Sequence, residues 1–278
     1  MFDLTEYNTY RVASKASNVY FPKSIEQVQE YLKKHPNAII LGNGSNIILT
    51  KPNYADQPFI ILRENFSQIS VEGCQVTANA GVSLQQLSLV ALEHELSGVE
   101  ILYDVPATVG GAIWMNAGAY GASIYDHLTE VTTIHRHSRI IKTYQKSEIE
   151  YVYRHTMFQE IPEVIVSIAF EFAKANKVKI KAKMNEILIT RRLKLPQEPS
   201  GGSVFKRPNY HISVGEMVEN LSLKGFQIGG AMISKKHGGV IINHHNATAD
   251  DIYQLIEKIK RAVWARYQVA LELEQVLL

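Results

Sequence analysis

A run of 21 residues, Val105–Tyr125, carries no charge. At roughly 20 residues per span it is long enough to cross a bilayer as a helix. Its content argues against that: Pro106, four glycines and Asn116 lie inside it, and backbone exposed to lipid must satisfy every N–H and C=O internally. The run reads as loop and buried backbone of a water-soluble fold. Side chains this small permit a flat, bulky ligand to approach the main chain; a tightly packed internal turn accounts for the same composition. A second glycine cluster, Gly201-Gly202-Ser203, is likewise no flexible linker.

Helical and extended patterns alternate around these two stretches, an α+β or α/β texture. Ser24–His35, Ser83–Leu96 and Ser213–Leu221 read as helices, each opened by a serine cap with Gln or Glu three residues on. Lys177–Leu193 has a helical tail stopped by Pro196. Thr248–Tyr267 is the clearest helix, with Ile252, Leu255, Ile256, Ile259 and Val263 on one stripe. Asn18–Phe21, Ala38–Leu41, Ile47–Leu49, Phe59–Leu62 and Gln75–Asn79 read as strands. Glu163–Phe172 alternates at period two, and a strand at Val269–Val276 closes the chain. Pattern breaks fall near residues 65 and 192.

Apolar side chains at 46% supply a sizeable core, and a net charge of +2 gives no reason to expect nucleic acid. The single cysteine, Cys74, excludes an intrachain disulfide and reads as a small buried hydrophobe in a reducing compartment. The acidic start Met1–Glu6 lacks the apolar region of a signal peptide, so a cytoplasmic protein without membrane attachment is expected.

Five places could carry chemistry. Gly42-Asn43-Gly44-Ser45-Asn46 sits between two strands, where glycines let N–H groups crowd an anion. No helix follows, as a dinucleotide-binding turn requires, and no Gly-Lys-Ser/Thr; a plain hairpin turn fits equally. Pro106–Gly121 adds Thr108 and Asn116 as uncharged polar groups. Arg154 stands among aromatics, and a surface arginine stacked on Tyr153 is the bland alternative. Ser203 follows two glycines, as an ordinary turn serine does. Glu272 and Glu274 share one strand face, which solvent-exposed glutamates on an edge strand also do. His237, His244 and His245 match no metal-site spacing, so no metal is expected.

In this order, the segments resemble the MurB family of UDP-N-acetylenolpyruvoylglucosamine reductases. The matching motifs are Asn8-Thr9-Tyr10, Gly42–Asn46, Pro106–Gly121, Tyr153–Phe158, Gly202–Pro208, Ser234–His237, Ile242–Asp250 and Leu271–Glu274. Ala13-Ser14, Asp104 and Ala107 stand where glycines are usual, Thr156 replaces a serine, and Gln275-Val276 stands where Val-Arg is common. Each motif alone is weak; the ordered set is specific and spans essentially the whole chain.

The resemblance implies an α+β chain of the type II branch, with a two-subdomain FAD-binding fold and a C-terminal α+β substrate domain. Residues 1–65, joined by the terminal strand 271–278, and 66–191 would be the flavin subdomains; 192–270 would bind substrate. It implies non-covalent FAD reduced by NADPH, followed by hydride delivery to UDP-N-acetylglucosamine enolpyruvate to give UDP-N-acetylmuramate for the cell wall. Arg154, Ser203 and Glu274 match the catalytic residues: a cation facing enolate charge, a proton donor, and a partner of the arginine. Gly42, Asn43, Gly44, Ser45, Asn46, Pro106, Ala107, Thr108, Gly110, Gly111, Asn116, Ala117, Gly118, Ala119 and Tyr120 match the cofactor site. Tyr153, Lys206, Arg207, His237 and Asn243 are expected substrate contacts, and a monomer is expected. Another flavin oxidoreductase of the same architecture, or a non-catalytic flavin- or nucleotide-sugar-binding paralogue, are the competing readings.

Overall fold

The computed structural model describes residues 1–278. It divides into two compact units, one of residues 18–43 and 57–191, the other of 1–17, 44–56 and 192–278.

The first unit contains two main sheets. A short parallel sheet has Phe59–Ile61 between Val19–Tyr20 and Ile39–Leu41. Helix α1 (Ile25–Lys34) connects two of these strands; Ser24 Oγ accepts the Gln27 N–H, and Val28 and Leu32 are buried. The Gln27 side chain accepts from the Lys23 N–H, one residue before the expected partner. The larger sheet is antiparallel, ordered Ile141–Gln145, Leu128–His135, Glu163–Glu171, Gln75–Asn79, Ile69–Glu72. Its period-two face is as expected: Val164, Val166, Ile168 and Phe170 are buried in one core with the helix residues.

Helix α2 (Leu84–Glu93) ends before its expected limit, because Glu95 turns left-handed at φ 59° and Leu96–Ser97 pairs with Ala173–Lys174. Within the uncharged run, expected as loop, lies a helix, α3 (Val109–Met115), capped by Thr108. Two successive glycines argue against it locally. Tertiary packing decides otherwise: Val109, Gly110, Ala112 and Ile113 are buried, and a Cβ on Gly110 would lie 2.6 Å from that of Ala80. Helix α4 (Lys177–Lys194) buries Ile180, Met184 and Ile187. Cys74 is a free thiol and only half-buried, at a turn between two strands.

The second unit holds a four-stranded antiparallel sheet ordered Ser200–Ser203, Val240–Asn243, Ala231–Ile233, Gln227–Ile228. Helices α5 (Val214–Asn220) and α6 (Ala249–Tyr267) pack on it, with the apolar stripe of α6 buried. Thr248 and Asp251 form the capping box of α6. The expected closing strand is shorter than its pattern: Leu273 makes one bridge with Phe205, and only Val276–Leu277 is a strand, parallel to Ile47–Ile48. No helix is long and apolar enough to cross a membrane.

Strands of two residues leave backbone groups over, and buried side chains take them. Asn8, 1% exposed, donates to Leu4 O and Val12 O and accepts the Val12 N–H, closing the loop that carries Tyr10. Asn8→Ala strands these groups and should cost about 2 kcal/mol in denaturant unfolding; a change under about 0.5 kcal/mol would mean that water replaces the amide.

Candidate active site

The 42–46 loop is not a hairpin turn, since the strand before it pairs with Phe59–Ile61 and the one after it with Val276–Leu277. None of its five backbone N–H groups donates to a protein acceptor. Gly44 is buried at φ +61°, and a Cβ there would lie 2.2 Å from Tyr7 O. Only glycine fits that conformation and that approach.

In the first unit Gly42 and Asn43 meet the second glycine segment. A Cβ on Gly42 would lie 2.3 Å from Thr108 Oγ1, and Asn43 Nδ2 donates to Pro106 O at 3.3 Å. The amides at the start of α3 are already committed: Val109 N–H to Val82 O, Gly110 N–H to Ala80 O, and Gly111 N–H to Thr108 Oγ1. Free donors for an anion therefore belong to the 42–46 loop, and the α3 segment offers closely approachable surface. Ala107 is not left-handed, so alanine at this usual glycine position carries no strain.

Asn116, at φ +46°, ends α3; its amide donates to Val152 O at 2.7 Å and accepts from Ser123 Oγ at 2.5 Å. Arg154 is itself left-handed, at φ +58°. Its guanidinium donates to Asn116 O at 3.0 Å and to Gly118 O at 2.9 Å, and lies 5.0 Å from the Tyr153 ring. Stacking on Tyr153 is thus present, together with anchoring of the cation to the glycine-rich run. Tyr120, within that run, is half exposed. Thr156 is fully buried and donates to Trp114 O. Asp104 accepts from Arg191 Nε at 3.0 Å.

In the second unit, Ser203 follows a β-bulge: Ser200 faces Ile242 and Ser203 faces Val240, so three steps on one strand span two on the other. Gly202 takes φ +73° there. Such a bulge re-aims the next side chain. Glu274 lies across from Val204, one residue from Ser203. Its N–H donates to Val204 O at 2.9 Å, and its C=O accepts from Asn46 Nδ2 at 3.0 Å. Glu272 is exposed and paired with Lys206. Arg207 is exposed next to it. Asn243 donates to Tyr10 O at 2.8 Å and accepts the Ala247 N–H, so its amide serves the main chain. The His244 and His245 rings lie tilted with their centroids 4.0 Å apart, and no His/Cys/Asp/Glu cluster suited to a metal forms.

One buried pair is not legible in residue order. Gln275, 3% exposed, accepts from Tyr10 Oη at 3.0 Å and donates to Gly202 O at 3.3 Å. Two signals pointed there: the Asn-Thr-aromatic tripeptide, and a polar residue where the family pattern has valine.

A flavin-binding oxidoreductase is the class these loops define. The family described as "FAD binding domain" matches residues 16–144, and "UDP-N-acetylenolpyruvoylglucosamine reductase, C-terminal domain" matches residues 194–278. The UDP-N-acetylenolpyruvoylglucosamine reductase of Francisella tularensis is 45% identical over 276 residues, covering 99% of this chain and 98% of its own. That of Latilactobacillus sakei is 37% identical, covering 98% and 90%. The crystal structure of the same enzyme (MurB) from Thermus caldophilus superposes with a TM-score of 0.84 at 28% identity, covering 99% of this chain and 96% of that one. The chain belongs to the UDP-N-acetylenolpyruvoylglucosamine reductase (MurB) family. Its residues fit FAD: unpaired N–H groups around a buried glycine suit a diphosphate, and side-chain-free surface suits a flat ring.

His237 has a pKa lowered from its ordinary value, first by burial and further by the Lys224 charge. Its Nδ1 accepts the Gly239 N–H at 3.1 Å, which only an unprotonated nitrogen can do. A depressed folded-state pKa means stability that is present above the unfolded value of 6.5 and lost as pH falls through the folded one. Unfolding free energy should therefore decline from about pH 6.5 downward, ahead of carboxylate protonation. His237→Gln should flatten that decline; an unchanged pH profile in the variant would assign the loss to other groups.

Proposed function

We propose that Arg154, Ser203 and Glu274 carry the family's chemistry in this chain, with FAD held by Gly42–Asn46, Pro106, Ala107, Thr108, Gly110, Gly111 and Asn116–Tyr120. The chain is an FAD-dependent oxidoreductase with UDP-N-acetylmuramate dehydrogenase activity. It uses NADPH to reduce UDP-N-acetylglucosamine enolpyruvate to UDP-N-acetylmuramate in peptidoglycan synthesis. Held by those loop residues, FAD would supply the hydride chemistry between NADPH and the enolpyruvyl β-carbon.

The chain's own side chains act on the charge and the proton that this addition creates. Electron density develops at the α-carbon and spreads into a carboxylate that is already negative. Arg154 opposes that charge, and its two carbonyl anchors keep the cation from swinging to solvent. Ser203 Oγ gives its proton to the α-carbon and recovers one from water, to which it is exposed. Glu274 acts with Arg154 on the enolate, as a protonated carboxyl or through a hydrogen bond, because a bare ionised carboxylate would repel that charge. The observation that carries this reading is the clamp on Glu274: Val204 O and Asn46 Nδ2 grip its main chain one residue from the Ser203 bulge. Tyr153, Lys206, Arg207, His237 and Asn243 are the proposed substrate contacts, Lys206 and Arg207 as cations for an anionic nucleotide sugar. Residues 1–65 with 271–278, and 66–191, are proposed as the flavin subdomains, and 192–270 as the substrate domain. A cytoplasmic monomer acting without nucleic acid or membrane partners completes the proposal, and sedimentation tests the oligomeric state.

Ser203→Ala should leave flavin bleaching by NADPH within twofold, while reoxidation by the enolpyruvyl substrate slows roughly 100-fold. Equal loss in both half-reactions would make Ser203 structural. Glu274→Gln keeps a donor and should be tolerated far better than Glu274→Ala; equal damage from the two would instead require an ionised carboxylate. Arg154→Lys keeps charge without the planar fork and should slow reoxidation alone. An unaltered rate there would remove the arginine from the enolate.

A further inference from the structure

Ser203 is aimed by a bulge that nothing in its own strand holds rigid. Gly201 and Gly202 have no side chains, and Gly202 is exposed at φ +73°. What stands beneath the bulge is a buried polar pair. A Cβ on Gly201 would lie 2.4 Å from Tyr10 Cε2 and 2.7 Å from Gln275 Nε2, so the tyrosine ring and the glutamine amide both abut the bulge backbone.

The hydrogen bonds of this pair have one consistent direction. Gly202 O can only accept, so the NH2 end of Gln275 must face it. Gln275 Oε1 then faces Tyr10, and the phenol donates to it. Burial raises the Tyr10 pKa well above the tyrosine range, which keeps the phenol a donor throughout the working pH range. Tyr10 is itself fixed: Asn243 Nδ2 holds its carbonyl, and Asn8 closes the loop around it. A chain of bonds thus runs from Tyr10 Oη through the Gln275 amide to the carbonyl immediately before Ser203.

We propose that Gln275, oriented by the Tyr10 hydroxyl, is a positioning residue that holds the Gly201–Gly202 bulge and thereby aims the Ser203 hydroxyl. The inference rests on Ser203 being the proton donor. Gln275 touches no reacting atom; it acts through the Gly202 carbonyl. Because that carbonyl is on an exposed residue, water can solvate it when the amide is removed. Loss of the bond should therefore loosen the bulge more than it lowers global stability.

Tyr10→Phe removes one hydroxyl and keeps the ring against Gly201; Gln275→Met keeps length and shape and removes the amide. In both holoenzyme variants, reduction by NADPH should stay within twofold, and reoxidation by the enolpyruvyl substrate should slow about tenfold. On flavin-free protein, deuterium exchange should rise in the 199–204 peptide, with the sheet partner 240–243 little changed. Added to Ser203→Ala, either change should slow reoxidation less than twofold further, because the group being aimed is gone. Undiminished reoxidation in both variants, equal loss in both half-reactions, or a full further loss on the Ser203→Ala background would each overturn the inference. Should Ser203→Ala itself reoxidise normally, the proton-donor reading fails instead, an outcome separable from fast variants beside a slow Ser203→Ala.

Discussion

Buried hydrogen-bonding groups must be satisfied, and this fold meets that requirement with side chains where its strands are too short to do so. Many strands have only two residues. Each of the nine buried polar residues, Asn8, Ser14, Ser88, Thr108, Asn116, Thr133, Thr156, Ser234 and Gln275, bonds to main chain. An unsatisfied buried donor or acceptor costs about 1–3 kcal/mol. Ser88 and Thr133 lie within regular elements, helix α2 and the strand Leu128–His135, whereas Thr108, Asn116 and Gln275 hold irregular segments at or beside candidate site residues.

The same bonds explain why departures from the family pattern are harmless to the fold. Ser14, where glycine is usual, is 2% exposed and donates to Lys51 O. Asp104 gains Arg191. Ala107 sits in ordinary backbone conformation. Gln275 replaces an apolar residue inside a core, and Tyr10 supplies the partner that makes this tolerable. Arg154 shows the complementary use of strain: a left-handed arginine is held by two carbonyls of a loop whose own turns are left-handed at Asn116 and Tyr120.

Helices with a capping residue and an apolar stripe, such as α1 and α6, were legible from residue order alone, because their information is local: Ser24 and Thr248 cap the N-termini they precede. The alternating strand Glu163–Glu171 was legible for the same reason. Motif order gave the family and the candidates Arg154, Ser203 and Glu274. Local pattern failed where distant packing set the outcome. Helix α3 forms through glycines because Ala80 and Val82 accept its first amides. Helix α2 stops short because Leu96–Ser97 finds a strand partner some 80 residues on, at Ala173–Lys174. The terminal strand shrinks to Val276–Leu277 because its neighbours bend toward Val204 and Asn46.

Residue order supplies the kinds of groups available: glycines where backbone must be bare, a cation among aromatics, a serine after two glycines, a glutamate near the end. Which N–H groups remain free depends on acceptors far along the chain, so packing sets it. It leaves the amides of Gly42–Asn46 open and commits those of Val109–Gly111. Packing likewise sets the Glu274 N–H on Val204 O, leaves the exposed Glu272 side chain on Lys206, and joins Tyr10 and Gln275, 265 positions apart, in one hydrogen bond. Residue order records composition and local period; which acceptor meets which donor is settled by packing, where the cost of a buried unpaired group selects a single arrangement.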